Sequence, residues 1–420
     1  MNAVNNIAGI AIWIASATLA LLPAQTWAGE HKEKVLYRFT GQDGSFPKAR
    51  LIVDANGILY GTTTFGGRNH GIVFELSLNG KETVLYSFRG KHHGDGDFPG
   101  GDLIAGNQGE LYGVTVFGGF DCGVRFGCGT IFKLTPGGAE TVLHTFTGLD
   151  GAEPVGGLTI DGQGNLYGTT GAGGSSTACD FGCGTVFKLA PSGEYTVLYA
   201  FKGRKNNDGE DPVGTLALDS QGNLYGATQW GGGGDCSRGN HGCGTIFKLT
   251  PDGQETVLHA FVDGIGGAFP TGVIRDGDGN LYGTTPSGGG RGNCLGQDCG
   301  TVFRLTPDGA IATLYAFAGG NDGGAPWAGL LEDADGHLYG TTQFGGTDCD
   351  GLGRGCGTVF KLAPGGRETI LHRFGGDDGA NPQSGLVQDA TGTLYGATYG
   401  GGLDCYNVGE GCGTVFKVKN

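Results

Sequence analysis

Seven recurrences of Leu-Tyr-Gly, four short β-like runs in each recurring unit, and turn residues between all of them predict an all-β protein: a seven-bladed β-propeller of four-stranded antiparallel blades. Tyr60, Tyr112, Tyr167, Tyr225, Tyr282, Tyr339 and Tyr395 mark units of 52 to 58 residues. A strand solenoid is the alternative, but its units run shorter and stack without four-strand meanders. The 420 residues need no division, since closed all-β repeat folds reach this size as one unit. The 92 glycines follow no Gly-X-Y period and the prolines number only 14, which excludes a collagen-like rod.

The third copy shows the elements in order. "GGLTID" (156–161), "NLYGTT" (165–170), "GTVFKL" (184–189) and "YTVLYAF" (195–201) are rich in β-branched and aromatic residues and bounded by Gly, Pro, Asp or Asn. They are labelled a to d from the axis outward, with strand a following the recurring proline: Pro47, Pro99, Pro154, Pro212, Pro270, Pro326 and Pro382. One strand is then left over at each end of the chain. "KVLYRF" (34–39) is a d strand without a blade, and "GTVFKV" (413–418) ends a blade that lacks its d strand. Residues 34–39 are predicted to pair with 413–418 and close the ring, which removes an open sheet edge. The a–b and c–d turns fall on one face. The b–c loops, which hold the cysteines, and the d–a loops, which hold Asp-Gly and the proline, share the other.

Residues 1–28 contain no Lys, Arg, Asp or Glu, and run from an apolar stretch (7–22) to Pro23 and Thr26-Trp27-Ala28. This reads as an export signal cleaved near Ala28, although it lacks the usual basic start. The apolar stretch is shorter than the roughly 20 residues a spanning helix needs, so no membrane span is expected after cleavage. The domain division is 1–28 signal peptide and 29–420 one propeller. The formal charge of −15 then belongs entirely to the mature protein. It disfavours nucleic acid and anionic membranes, whose phosphates it repels.

Twelve cysteines form six local pairs: Cys122–Cys128, Cys179–Cys183, Cys236–Cys243, Cys294–Cys299, Cys349–Cys356 and Cys405–Cys412. One pair lies in each b–c loop of blades 2 to 7, while blade 1 has the shorter "FGGRNHGIVF" (65–74) and none. An even count behind an export signal reads as intra-loop disulfides. Zinc wants four ligands and Cys-x-x-Cys knuckles, which the wider pairs in separate blades do not supply. No metal or cofactor is expected.

The repeated pattern "GNLYGTT…GTVFKL.P.G..TVLY.F…DG..P..GL" resembles the GloVer tandem repeat of secreted or surface-anchored bacterial proteins, over residues 34 to 418. The resemblance implies a propeller-like extracellular protein and carries over no catalytic residue. Many relatives add a C-terminal anchoring module. Because the chain stops at Asn420 directly after its last strand, a secreted or periplasmic protein is expected.

Aromatic residues recur near the Gly-Gly of the b–c loops: Phe65, Phe117, Trp230, Phe344 and, shifted slightly, Tyr399. Trp327 follows Pro326 on the same rim, and Trp230 and Trp327 are the only tryptophans beyond residue 28. Flat aromatic faces suit stacking on sugar rings, whereas rings wedged between blades are plain core. Asp121, Asp180, Asp235, Asp298, Asp348 and Asp404 interleave there with Arg68, Arg125, Arg238, Arg291 and Arg354, as a ligand-orienting rim or as turn caps. His70 and His241 occupy matching "NHG" positions, open to a base or ligand role or to loop decoration. His144, His259 and His372 exchange with Tyr37, Tyr86, Tyr199 and Tyr315 in the d strands, which marks them as structural. "DGDGN" (276–280) is read as a hairpin turn rather than a calcium loop, because the downstream glutamate is missing.

Gly-x-Ser-x-Gly, His-Glu-x-x-His and the phosphate loop do not occur, so the catalytic residues are unassigned. The expected function is binding of an extracellular ligand, a polysaccharide foremost, by a monomer, through Trp230, Trp327, Phe117, Phe344, Tyr399 and His241. The alternatives are a polysaccharide-cleaving lyase or glycoside hydrolase, and a structural or protein-binding scaffold.

Overall fold

Leu-Tyr-Gly-Thr-Thr and Thr-Val-Phe-Lys-Leu are buried along their length except at the half-buried tyrosine and lysine, and these two segments become the inner strands of the sheets. The computed structural model describes residues 33–420 apart from 124, 235, 237–240, 263, 265, 293, 295–297, 350–352 and 404–410. The expected signal peptide lies outside the described residues. In blade 3, strands a to d are Thr159–Ile160, Leu166–Thr170, Thr185–Leu189 and Tyr195–Ala200, hydrogen-bonded in chain order and antiparallel throughout. The other sheets repeat this order, blade 2 adding the short strand Gly96–Pro99 beside its strand b, and together they form a seven-bladed β-propeller.

Ring closure follows the sequence with boundaries moved by one residue. Strands Val387–Gln388, Thr393–Thr398 and Thr414–Lys419 take their fourth partner from the N-terminal Glu33–Arg38. That pairing repeats the bulge found between strands c and d of the other blades: Val35 faces Phe416, Tyr37 faces Val415, and Leu36 is the extra residue. Leu85, Leu143, Leu198, Leu258, Leu314 and Leu371 are the extra residues elsewhere. Each bulge turns its leucine into the hydrophobic layer between blades.

Adjacent blades meet through phenylalanines. The last residue of the d segment (Phe39, Phe88, Phe146, Phe201, Phe261, Phe317, Phe374) packs edge-on against the strand-c phenylalanine of the next blade (Phe74, Phe132, Phe187, Phe247, Phe303, Phe360, Phe416). Centroids lie 5.0–5.4 Å apart with planes at 62–72°, and all fourteen rings are at most 1% exposed. The glycine of Leu-Tyr-Gly makes the space. A Cβ on Gly226 would lie 2.6 Å from Phe247 Cζ and 2.7 Å from Leu216 Cδ2, and its counterparts in the other blades face their phenylalanines at 2.6–2.7 Å.

A second joint runs through the recurring proline. The residue before it (Phe46, Phe98, Glu153, Asp211, Phe269, Ala325, Asn381) holds φ between 53° and 65°, a left-handed value uncommon for non-glycine residues. In that conformation its N–H donates to a carbonyl at the foot of strand c in the preceding blade, at 2.8–3.1 Å. The acceptors are Cys412, His70, Cys128, Cys183, Cys243, Cys299 and Cys356. Backbone strain of roughly 1–3 kcal/mol per site persists because the joint over-determines it.

The d strands carry an outer network. Tyr37, Tyr86, Tyr199 and Tyr315 donate to Asp43, Asp95, Asp208 and Asp322, and His144 and His372 sit 3.0 and 2.9 Å from Asp150 and Asp378. A tyrosine hydroxyl and an imidazole nitrogen thus serve one acceptor, which accounts for their exchange. In five blades a glutamate begins strand d: Glu33, Glu82, Glu140, Glu255 and Glu368, each with a buried, unpartnered Oε1. Burial pushes these carboxyls up to about 7, most of them against the nearby d–a aspartate.

Two outcomes follow. Gly226→Ala is expected to cost ~1–3 kcal/mol by overpacking and Phe247→Ala ~3–5 kcal/mol by leaving a cavity, both read from urea unfolding. The pH dependence has a definite sign: carboxyls whose pKa rises on folding stabilise fully below the ordinary carboxylate range, and lose that contribution as pH rises through about 7. The melting temperature should fall across this window. Glu255→Gln should recover part of the loss above it and change little in mild acid.

Candidate functional site

The seven a strands converge on the propeller axis, and a cavity of about 720 Å³ opens there, lined from every blade. Its wall comes from the residues around the recurring proline and from the ends of strand b at Val116, Gln229 and Gln343. Where the joints repeat, this wall does not. The residue after the proline is Lys48, Gly100, Val155, Val213, Thr271, Trp327 or Gln383, and the third after it is Arg50, Asp102, Gly157, Thr215, Val273, Gly329 or Gly385. Chemistry-bearing side chains are therefore distributed unevenly around the axis.

Blades 1, 2 and 4 share one fixed cluster. Arg50 Nε lies 3.5 Å from Asp102 Oδ2, its backbone N–H donates to Asp102 Oδ1 at 2.7 Å, and the Thr215 hydroxyl donates to Oδ2 at 3.1 Å. Lys48 Nζ stands 5.0 Å from the centre of the Tyr399 ring, a cation–π distance. Blades 3 and 4 contribute Glu153 and Asp211, both in the strained position before the proline. Burial, and then the charges of Glu153 and Glu210, push the Asp211 carboxyl up to about 7. Trp327, half-buried, lines the wall from blade 6, with Gln343 and Gln383 on blades 6 and 7.

The six expected ligand-binding residues separate. Trp327 is part of the cavity wall. Tyr399 stacks on Phe46 at 4.7 Å and carries Lys48 over its ring. It follows its strand-b threonine directly, in register with Val116, Gln229 and Gln343, whereas Phe65, Phe117, Trp230 and Phe344 come one residue later and pair with the backbone ahead of strand a in their own blade. Phe117 packs on Phe98 and Phe126, Trp230 packs on Phe269 at 4.7 Å and meets His241 at 5.8 Å, and Phe344 is half-buried. His241 Nδ1 lies 3.2 Å from Glu210 Oε1.

His70 and His241 are not structural counterparts. His70 takes the place of the second cysteine, accepting the N–H of Phe98, while His241 precedes Cys243 by two residues. Five of the expected disulfides are present: Cys122–Cys128, Cys179–Cys183, Cys236–Cys243, Cys294–Cys299 and Cys349–Cys356. For the sixth, Cys405 lies outside the described residues. In blade 3 the bridge packs beneath a glycine of the d–a loop, so a Cβ on Gly203 would lie 2.9 Å from Cys183 Sγ. In blade 1 the His70 ring fills that place under Gly90, with its Nδ1 2.9 Å from Asp97 Oδ1.

The rim aspartates serve turns: Asp121, Asp298 and Asp348 accept loop N–H groups of Gly123, Gly290 and Gly353, while Asp235, Arg238 and Asp404 lie outside the described residues. The Asp276 carboxylate of "DGDGN" accepts from the backbone of Asp278 and Asn280 and from the side chains of Asn280 and Tyr282. Two described groups bring three potential metal ligands within 4.8 Å, Glu33–His372–Asp378 and Asp333–Asp335–His337. Both are built on hydrogen-bond patterns that other blades use structurally, the d-strand pair and the a–b turn.

Sequence inspection missed Lys48, Arg50, Asp102, Glu153 and Asp211. Aligning the seven copies on the proline and reading the positions just before it, just after it and third after it exposes them.

These features define the class: a repeat-built β-propeller with a chemically uneven axial cavity. The chain belongs to the Gloeobacter/Verrucomicrobia repeat family, whose model matches residues 25–238, 120–297 and 236–420. No curated protein matches it in sequence. Among solved structures it is similar to the extracellular domain of a B. thetaiotaomicron protein assigned as a hybrid two-component system (TM-score 0.56, 13% identity, 93% of this chain and 41% of that one). It is also similar to the extracellular domain of a B. thetaiotaomicron protein assigned as a one-component system (TM-score 0.55, 10% identity, 92% of this chain and 40% of that one). This chain thus spans about two fifths of either, and the likeness is one of fold.

The disulfides close short rings and remove little unfolded-state entropy. The double replacement Cys179→Ser with Cys183→Ser is expected to leave a folded propeller with a modestly lower melting temperature. Limited proteolysis should then cut first within residues 171–184.

Proposed function

We propose that the protein is exported and binds an extracellular saccharide, as a monomer, in the axial cavity. The observation that carries this reading is Trp327 on the wall of a 720 Å³ cavity shared with carboxylates, amides and a lysine. A tryptophan face suits the apolar C–H face of a sugar ring, and the surrounding polar groups suit its hydroxyls. Disulfides in successive blades favour an oxidising compartment. No helix among the described residues is long and apolar enough to cross a membrane.

One observation favours the cleaving alternative. Asp211, pushed up to about 7 beside Glu153, has the protonation range of a general acid. The two readings separate on product.

The mature protein should be incubated with neutral, acidic and amino polysaccharides, following retention, reducing ends and unsaturated products. Retention without product is expected. Trp327→Ala should weaken it about tenfold or more, equivalent to about 1.4 kcal/mol, while Trp230→Ala should lower the melting temperature through lost packing on Phe269. Wild-type retention by Trp327→Ala would move the site away from the cavity, and product from one substrate would establish the enzyme.

A further inference from the structure

At the position before the proline, blades 1, 2 and 5 place Phe46, Phe98 and Phe269, each packed against other aromatic rings. Blades 3 and 4 place Glu153 and Asp211 there instead, with the same backbone conformation (φ 55° and 57°). Both side chains line the axial cavity. Among the described residues neither carboxylate accepts a hydrogen bond or pairs with a cation, and the charges nearest Asp211 are Glu153 and Glu210. Glu210 is itself engaged by His241.

A third departure accompanies these two. The first residue after the strand-b threonine is a side-chain-bearing residue in every blade but the third, where it is Gly171. A Cβ there would lie 2.6 Å from Asp211 Oδ1, and Gly171 has no left-handed φ that would explain a glycine. The missing side chain is room for the carboxylate. Two acids in neighbouring blades and the glycine between them form one built feature, whose negative charge the protein leaves uncompensated.

We propose that Glu153 and Asp211, in the space cleared by Gly171, hold the ammonium group of an amino sugar; this rests on the saccharide reading of the cavity. An ammonium has three donors to share between two carboxylates, and the charge-assisted bonds relieve the repulsion between the acids. Trp327 on the same cavity wall supplies a stacking face for the sugar. A calcium ion would need six or more oxygen ligands, and among the described residues no third carboxylate or imidazole joins this pair at ligand spacing.

The test is calorimetric titration of the mature protein near neutral pH, where the raised Asp211 carboxyl ionises while a share of the amines still carries charge. The probes are a short chitosan oligosaccharide, its fully N-acetylated counterpart, and calcium chloride alone. The expected result is at least tenfold tighter binding of the free amine, with a preference that collapses toward unity in Glu153→Gln and in Asp211→Asn. Asn381 already holds the equivalent position at φ 53°, so Asp211→Asn introduces a residue this joint accepts; melting curves check folding.

Equal, Trp327-dependent binding of the two oligosaccharides would overturn the ammonium site and leave the saccharide reading standing. A preference unchanged in both variants would also overturn it. Calcium heats lost in Asp211→Asn, or cleavage of either oligosaccharide lost in that variant, would replace it with a metal or a catalytic pair. Failure to bind any saccharide in the wider panel would remove the saccharide reading and this inference with it.

Discussion

Everything in this propeller hangs on one contact made seven times: a strand-c phenylalanine meeting, edge to face, the phenylalanine that ends strand d of the blade before it. Such pairs are worth ~0.5–1.5 kcal/mol beyond the burial of the rings, but their geometric role matters as much. Two flat rings at a fixed angle set the rotation between neighbouring sheets, and equal rotations allow seven sheets to return to their start. The glycine of Leu-Tyr-Gly is inseparable from this, because a Cβ in its place would occupy the ring's volume. The bulge in strand d belongs to the same device, since its extra leucine fills the layer beside the rings.

Closure shows that the joint, rather than chain continuity, defines a blade. The last joint is assembled from both chain ends, yet Phe374 meets Phe416 and Phe39 meets Phe74 with the same geometry as the others. Leu36 bulges as its six counterparts do. Even blade 1, without a disulfide, keeps the arrangement: His70 presents the carbonyl that a cysteine presents elsewhere, and its ring fills the place of the bridge. The disulfides therefore act on loop shape at joints that already stand without one of them.

The strands, their order, the ring closure and the local cysteine pairing were legible because repetition and periodicity encode them directly. The cavity wall was not legible in the same way. Glu153 and Asp211 are 58 residues apart, and no local rule places a glutamate or an aspartate before a proline in a left-handed conformation. That conformation is imposed by an N–H bond to the preceding blade, which only the assembled ring reveals. The aromatic residues of the b–c loops drew attention because they are conspicuous, yet a one-residue difference in register sends Tyr399 toward Lys48 and the Phe65 and Trp230 positions into packing between blades. Period-two alternation makes such a shift decisive.

The outer rim shows how the repeat tolerates change without losing the joint. Wherever strand d carries tyrosine, at Tyr37, Tyr86, Tyr199 and Tyr315, the next blade begins its own d strand with glutamate: Glu82, Glu140, Glu255 and Glu368. Where histidine stands, the neighbour differs. His144 stacks at 3.8 Å on Tyr195, His259 is followed by Ile311, and only His372 meets a glutamate, Glu33, at the joint where the chain ends meet. The imidazoles of His144 and His372 stand beside d–a aspartates, while burial pushes the His259 imidazole down, toward its neutral form. Neighbouring blades thus vary as coupled pairs on the rim, and around the axis Arg50 with Asp102 and Thr215, and Asp211 with Gly171, depart from the repeat together. The rim couples adjacent blades only, whereas the axial departures reach across blades 1, 2 and 4 in a space that all seven blades line.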